Sequence, residues 1–122
     1  MLSIAIGIAE SNGLKKVFIA NHGGDHTIYP DCRNEFIKAM DQASQAGTFV
    51  NVSIEAPYTH ITKVDIAKIG KKLNIDFAET WSCYKGEEHH CGVCGTCLER
   101  KEALQEAGIK DTTIYSENSS SK

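Results

Sequence analysis

Apolar positions divide the chain into short segments of distinct period. Residues 1–12 are apolar on most sides of a helical wheel, which predicts a buried helix, and Gly13 is placed to stop it. Val17-Phe18-Ile19-Ala20 is a short continuous apolar run, the pattern of a strand buried on both faces. A polar loop with two glycines follows, Asn21-His22-Gly23-Gly24-Asp25-His26. Over 33–46 the period returns to a helical one, with Phe36, Ile37, Met40 and Ala43 on one face and Gly47 at the end. Phe49 to Ile54 predicts a second strand, and Pro57 interrupts the chain after it. Thr62 and Asp65 are spaced as a reciprocal cap for a helix from Lys63 to about Leu73, buried through Ile66, Ile69 and Leu73. A cysteine-rich segment comes next, then a helix near 97–107 closed by Gly108. The polar end of the chain, 112–122, predicts a disordered tail.

The predicted order is α-β-α-β-α, a metal knuckle and a final helix. Strand, helix and strand at this spacing form a βαβ unit, which requires parallel pairing. Two parallel strands do not make a viable sheet alone, because both faces and both edges need cover. The expectation is part of a doubly wound α/β domain over 1–75, with a zinc-binding segment and closing helix over 76–111. The rest of the sheet must come from further sequence or from a partner chain.

Composition narrows the class. At 122 residues, 41% hydrophobic and 24% charged, the chain reads as a globular domain or less than one. A net charge of −3 argues against a nucleic-acid partner. The apolar N-terminus has no basic lead and is too short to span a bilayer, so no membrane association is expected. Five cysteines, four of them bunched, suggest metal ligation in a reducing cytoplasm rather than disulfides.

Cys83, Cys91, Cys94 and Cys97 include a C-x2-C-x2-C run. Thiolates at this spacing converge on one cation, and four complete a tetrahedral zinc site. Glycines at 92 and 95 allow a tight turn around Cys94. An iron–sulfur run of this type places another cysteine three residues on, where this chain has Arg100. That favours zinc. His89 or His90 in place of one thiolate ranks second. Four protein ligands leave no open position, so the zinc should be structural.

Ligands of open parallel sheets bind beyond the carboxyl ends of the strands. The loop after the first strand carries His22, Asp25, His26, Tyr29, Asp31, Cys32 and Arg33; the loop after the second carries Glu55, Tyr58, His60 and Thr62 and leads to Lys63. Each polar residue could equally be a solvated loop or capping group. Arg33 and Lys63 sit in first turns of predicted helices, where a cation opposes the dipole unless an anion lies close. Cys32, beside Arg33 at a helix start, could have an activated thiol, although a packing cysteine is commoner. His22-Gly23-Gly24-Asp25-His26-Thr27 lacks the Lys-Ser/Thr pair of a Walker loop and the serine and Asp-Ser ending of a pyrophosphate loop.

Tyr29-Pro30-Asp31-Cys32-Arg33, Ala56-Pro57-Tyr58, Thr62-Lys63, Glu79-Thr80-Trp81-Ser82-Cys83-Tyr84 and Cys91-Gly92-Val93-Cys94-Gly95-Thr96-Cys97-Leu98-Glu99-Arg100 together resemble the C-terminal half of the 7-cyano-7-deazaguanine synthase family. The resemblance runs from about residue 2 to residue 111. It implies an N-type ATP pyrophosphatase fold and a place in queuosine biosynthesis. The implied activity is a ligase that converts 7-carboxy-7-deazaguanine and ammonia to the nitrile, with ATP and Mg2+ in the complete enzyme. It implies a structural zinc on Cys83, Cys91, Cys94 and Cys97, and often a homodimer. Asp25, Tyr29, Asp31, Arg33 and Lys63 are the candidates for contacting base, carboxylate or phosphate; no catalytic residue is singled out. The family's Ser-Gly-Gly-x-Asp-Ser loop for ATP is absent from this sequence. The expectation is that the chain alone is inactive and needs an N-terminal half. The competing expectation is a zinc-knuckle module that binds a protein or nucleic acid without catalysis.

Overall fold

The computed structural model describes residues 1–85 and 88–116. It is an α/β structure in two compact units, Met1–Thr62 and Lys63–Lys122. The division falls earlier than the 75/76 boundary expected from sequence. The helix from Lys63 belongs with the cysteine segment because it packs on the last helix.

In the first unit, helix α1 (Leu2–Ser11) leads to strand β1 (Lys16–Phe18), helix α2 (Asn34–Gly47) and strand β2 (Ser53–Glu55). The strands pair in parallel, Val17 opposite Ile54, as the βαβ pattern requires. Both are shorter than predicted. Phe49 and Val50 lie in a turn after α2, and Phe49 is fully exposed; the Glu10 carboxylate accepts its N–H at 2.8 Å. Val52, fully buried, anchors the core with Ile37 and Ile54.

The edges of this sheet differ. Alternate residues of a parallel strand turn their backbone groups to the same neighbour. Ser53 N–H donates to Lys15 O and Ile19 N–H to Glu55 O, so Ile54 faces away from β1. Side chains of α2 occupy that outer side. Asp41 Oδ1 accepts Ile54 N–H at 2.7 Å, and Ser44 Oγ donates to Val52 O at 2.7 Å. On β1, the matching outward groups belong to Lys16 and Phe18, and no backbone group among the described residues pairs with them.

Helix α1 corrects one expectation. It buries only Ala9, while Ile4 is 67% and Ile8 57% exposed, and Phe18 on β1 is 68% exposed. Its apolar side faces outward because a two-stranded sheet is too narrow to cover it.

The second unit contains α3 (Lys63–Lys72), a 3-10 turn at Phe77–Glu79, the cysteine segment and α4 (Gly95–Glu106). Residues 112–116, expected in the tail, are instead fixed against the cysteine segment through a parallel bridge of His90 with Tyr115. The remainder of that expected tail, 117–122, lies outside the described residues. Among the described residues no helix is long and apolar enough to cross a membrane.

Candidate metal centre and strand-end loops

The sulfurs of Cys83, Cys91, Cys94 and Cys97 all lie within 4.8 Å of one another. Cys91 and Cys97 are 4.0 Å apart. Metal–sulfur bonds of about 2.3 Å give a tetrahedral thiolate site an S–S edge of about 3.8 Å, so the donors are set at the size of one ion. Cys83 and Cys91 are buried, Cys97 completely so. Backbone amides point at the sulfurs as they would at thiolates. Cys91 N–H and Lys85 N–H approach Cys83 Sγ at 3.4 Å, and Cys94 N–H approaches Cys91 Sγ at 3.3 Å. Gly92 permits this wrap with φ +72, a region that a side chain at this position would strain. Cys94 caps α4 and Cys97 lies in its first turn, at the end of the helix dipole that favours anions.

The environment separates two of the thiols. The Thr96 hydroxyl, with the N–H groups of Tyr84 and Cys97, holds the Cys94 thiol down at about 5. Burial pushes Cys97 up to about 12. A cation held among the four sulfurs would make thiolates of all of them.

His90 is not a ligand. Its Nε2 accepts Ser82 N–H at 3.2 Å, and burial, then the charge of Arg100, lower its pKa and keep it neutral. The proton therefore lies on Nδ1. Its ring stacks at 4.3 Å on Trp81, whose Nε1 donates to Cys83 O. His89 is exposed and lies outside the sulfur cluster. The group placed to hold an ion is four cysteines, rather than three and a histidine.

Lys63 begins α3 and pairs with Glu99 of α4. The anion beside this cation is thus a side chain of the protein. Lys63 also lines a cavity of about 200 Å³ with Ile66, Phe77, Ser82, Thr96 and Arg100. The Ser82 hydroxyl oxygen is buried there without a hydrogen-bond partner among the described residues.

In the first unit, Asp25, Tyr29, Asp31 and Arg33 share one loop made of two 3-10 turns, Gly23–Thr27 and Pro30–Cys32. Asp25 caps the first turn. Its carboxylate accepts His22 N–H at 3.0 Å, while His22 Nδ1 accepts Gly24 N–H at 3.1 Å. A Cβ on Gly24 would come within 3.0 Å of the His22 ring, so packing explains this glycine without a phosphate. Tyr29 N–H donates to Asp25 O, and Arg33 Nε donates to His26 O at 2.9 Å. Cys32 is not activated. Burial, then the charges of Asp25 and Asp31, push its thiol up.

Sequence reasoning passed over Asn21 and Thr59, both buried. Asn21 Nδ2 donates to Cys32 O at 2.8 Å and to Thr59 Oγ1 at 3.3 Å, tying the loops after both strands together. An asparagine directly after a strand was the available signal.

The comparisons agree with this geometry. Residues 1–108 match the family described as queuosine biosynthesis protein QueC. A 7-cyano-7-deazaguanine synthase of Porphyromonas gingivalis is 65% identical over 115 residues, 94% of this chain and 52% of that protein. Synthases of the same name from Brucella anthropi and Desulfotalea psychrophila are 50% and 51% identical over 94% of the chain. The chain spans about half the length of the curated relatives it matches. It belongs to the QueC family of queuosine biosynthesis proteins.

Proposed function

We propose that this chain is the C-terminal part of an ATP-dependent ligase that makes the nitrile of 7-cyano-7-deazaguanine from 7-carboxy-7-deazaguanine and ammonia. The observation that carries the reading is the 65% identity across 94% of the chain to a protein of that name. The wider fold is the N-type ATP pyrophosphatase sheet, of which β1 and β2 are one end. The open β1 edge supports this, because β2 is already closed by α2.

The bound ion is zinc, and it acts as a staple. A closed set of four thiolates supplies folding energy and leaves no position for substrate. Asp25, Tyr29, Asp31 and Arg33 would meet substrate from the strand-end loop, and Lys63 from its cavity. ATP and Mg2+ would be held by the part of the relatives' length that this chain does not match. The working assembly, cytoplasmic and without a nucleic-acid partner, then needs that second half, and a homodimer of complete units is consistent with it.

The test is reconstitution. The purified chain is assayed for nitrile formation from 7-carboxy-7-deazaguanine, ammonia and ATP, alone and with the complementary N-terminal half of the Porphyromonas gingivalis relative. Activity only in the mixture is expected. Turnover by the chain alone would overturn the division of labour, and none in the mixture would count against the assignment.

A further inference from the structure

Residues 111–116 follow α4 and return to the loop that holds the sulfurs. Ser116 N–H donates to His90 O at 2.8 Å and His90 N–H to Ile114 O at 3.3 Å. Tyr115 packs against the cluster of Cys83, Cys91 and Cys97. Its ring meets His90 edge-on at 5.9 Å, and Lys101 Nζ lies over the ring, 4.2 Å from its centroid. The same ammonium donates to Gly92 O at 3.0 Å, inside the turn between Cys91 and Cys94.

The segment is itself pinned. Tyr115 OH donates to Asp111 Oδ2 at 2.6 Å, and Thr113 N–H to Asp111 Oδ1 at 2.9 Å. Arg100 Nε donates to Thr113 Oγ1 at 2.8 Å. Arg100 Nη2 also donates to Phe77 O. One arginine of α4 therefore fixes the strap at one end and the 3-10 turn before Cys83 at the other.

We propose that residues 111–116 are a strap that holds the metal loop closed, with Tyr115 as its positioning residue and His90 as the residue it clamps. The inference rests on the reading of the cysteine cluster as a zinc site. Neither Tyr115 nor His90 donates to the ion. Tyr115 blocks the outward swing of His90, and His90 directly precedes Cys91 in the chain. Opening the loop requires breaking the two backbone bonds of His90 and exposing the Tyr115 ring. Partners outside the ligand shell commonly change metal retention by about 10- to 100-fold when removed.

The test measures zinc content and the rate of zinc transfer to a chromogenic chelator, for the wild-type chain and for Tyr115→Ala, Tyr115→Phe and Cys83→Ser. The wild type should bind one zinc. Tyr115→Ala should still fill at saturating zinc, with the thiolate-to-metal charge-transfer bands of its cobalt form intact, yet release zinc about tenfold faster or more. Tyr115→Phe keeps the ring and loses only the Asp111 bond, so its rate should rise less. Cys83→Ser should lose the tetrathiolate spectrum. Wild-type release from Tyr115→Ala, with Cys83→Ser impaired, would overturn the strap and leave the zinc site standing. A wild-type chain that binds no zinc would instead overturn the zinc reading. Should Tyr115→Ala fail to fold, Thr113→Ala cuts the Arg100 tie with the ring in place; faster release supports the strap and an unchanged rate overturns it.

Discussion

Asp41 Oδ1 accepts the N–H of Ile54 at 2.7 Å, so a helix side chain takes the place of a neighbouring strand at the outer edge of β2. Ile54 is buried, and its amide has no access to water as an alternative. Asp41→Ala should therefore destabilise the first unit by about 1–3 kcal/mol, the cost of leaving a buried donor unpaired. Urea unfolding followed by circular dichroism would measure it. Hydrogen exchange gives an independent check. The Ile54 amide should be protected although it lies on an edge, and the Phe18 amide should exchange quickly.

Removal of the metal should loosen the second unit selectively. Cys97 is fully buried, and without an ion four sulfurs within 4.8 Å have only weak hydrogen bonds between them. Chelation is expected to abolish cooperative unfolding of residues 63–116 while exchange protection in α2 and β2 persists. Equal loss in both units would show that zinc supports the whole chain.

In the metal-free protein the thiols should not react alike. Thr96 holds the Cys94 thiol at about 5 and burial holds Cys97 near 12. Alkylation at pH 6 should mark Cys94 first, with a rate that rises through about pH 5. Thr96→Val should move that rise to higher pH. Peptide mapping after a brief iodoacetamide pulse reads both outcomes, and preferential labelling of Cys97 would contradict them.

Asp111 makes the strap pH-dependent. Burial alone would raise its pKa, but the Thr113 and Tyr115 hydroxyls, the Thr113 N–H and the charge of Arg100 outweigh it and hold the carboxyl below its ordinary value. A depressed carboxyl contributes stability above the unfolded value and loses it as pH falls through the folded one. Asp111→Asn should cost about 1 kcal/mol at pH 7, a figure kept low because the site is partly exposed. The gap from wild type should close below about pH 4. Thermal unfolding of both proteins from pH 7 to 3 isolates this effect, since any acid release of metal is common to the two.

Local periodicity made the elements legible, and long-range geometry made the rest invisible. The 3.6 period of α2 and α3 and the stops at Gly13 and Gly108, both with positive φ, could be read directly. Cysteine spacing pointed to the four sulfurs that the fold brings within 4.8 Å of one another, because ligation tolerates few arrangements. The strap could not be read in the same way. Thr113, Ile114 and Tyr115 sit in a short polar stretch, and only their distant partners His90 and Arg100 give them a fixed place. Phe49 misled for the converse reason. Its strand-like composition was overruled by the turn in which Asn51 takes φ +52.

Phe18 supplies the sharpest test of the open edge. Its side chain is 68% exposed, and its backbone groups turn away from β2. Phe18→Asp should therefore leave the stability of the isolated chain within about 0.5 kcal/mol, as expected for an exposed position without partners. In the mixture with the complementary half of a relative, the same aspartate would stand on a face of the widened sheet that the second half must cover, and burial of an unpaired carboxylate there costs several kcal/mol, roughly. Reconstitution and the co-elution of the two polypeptides should both be lost. A substitution inside the strand pair, Ser53→Asp, removes the Ser53 Oγ bond to Lys15 O and should weaken β1–β2 pairing in the isolated chain instead. Complex formation by Phe18→Asp at the wild-type level would mean that the second half docks elsewhere and that β1 remains a true edge.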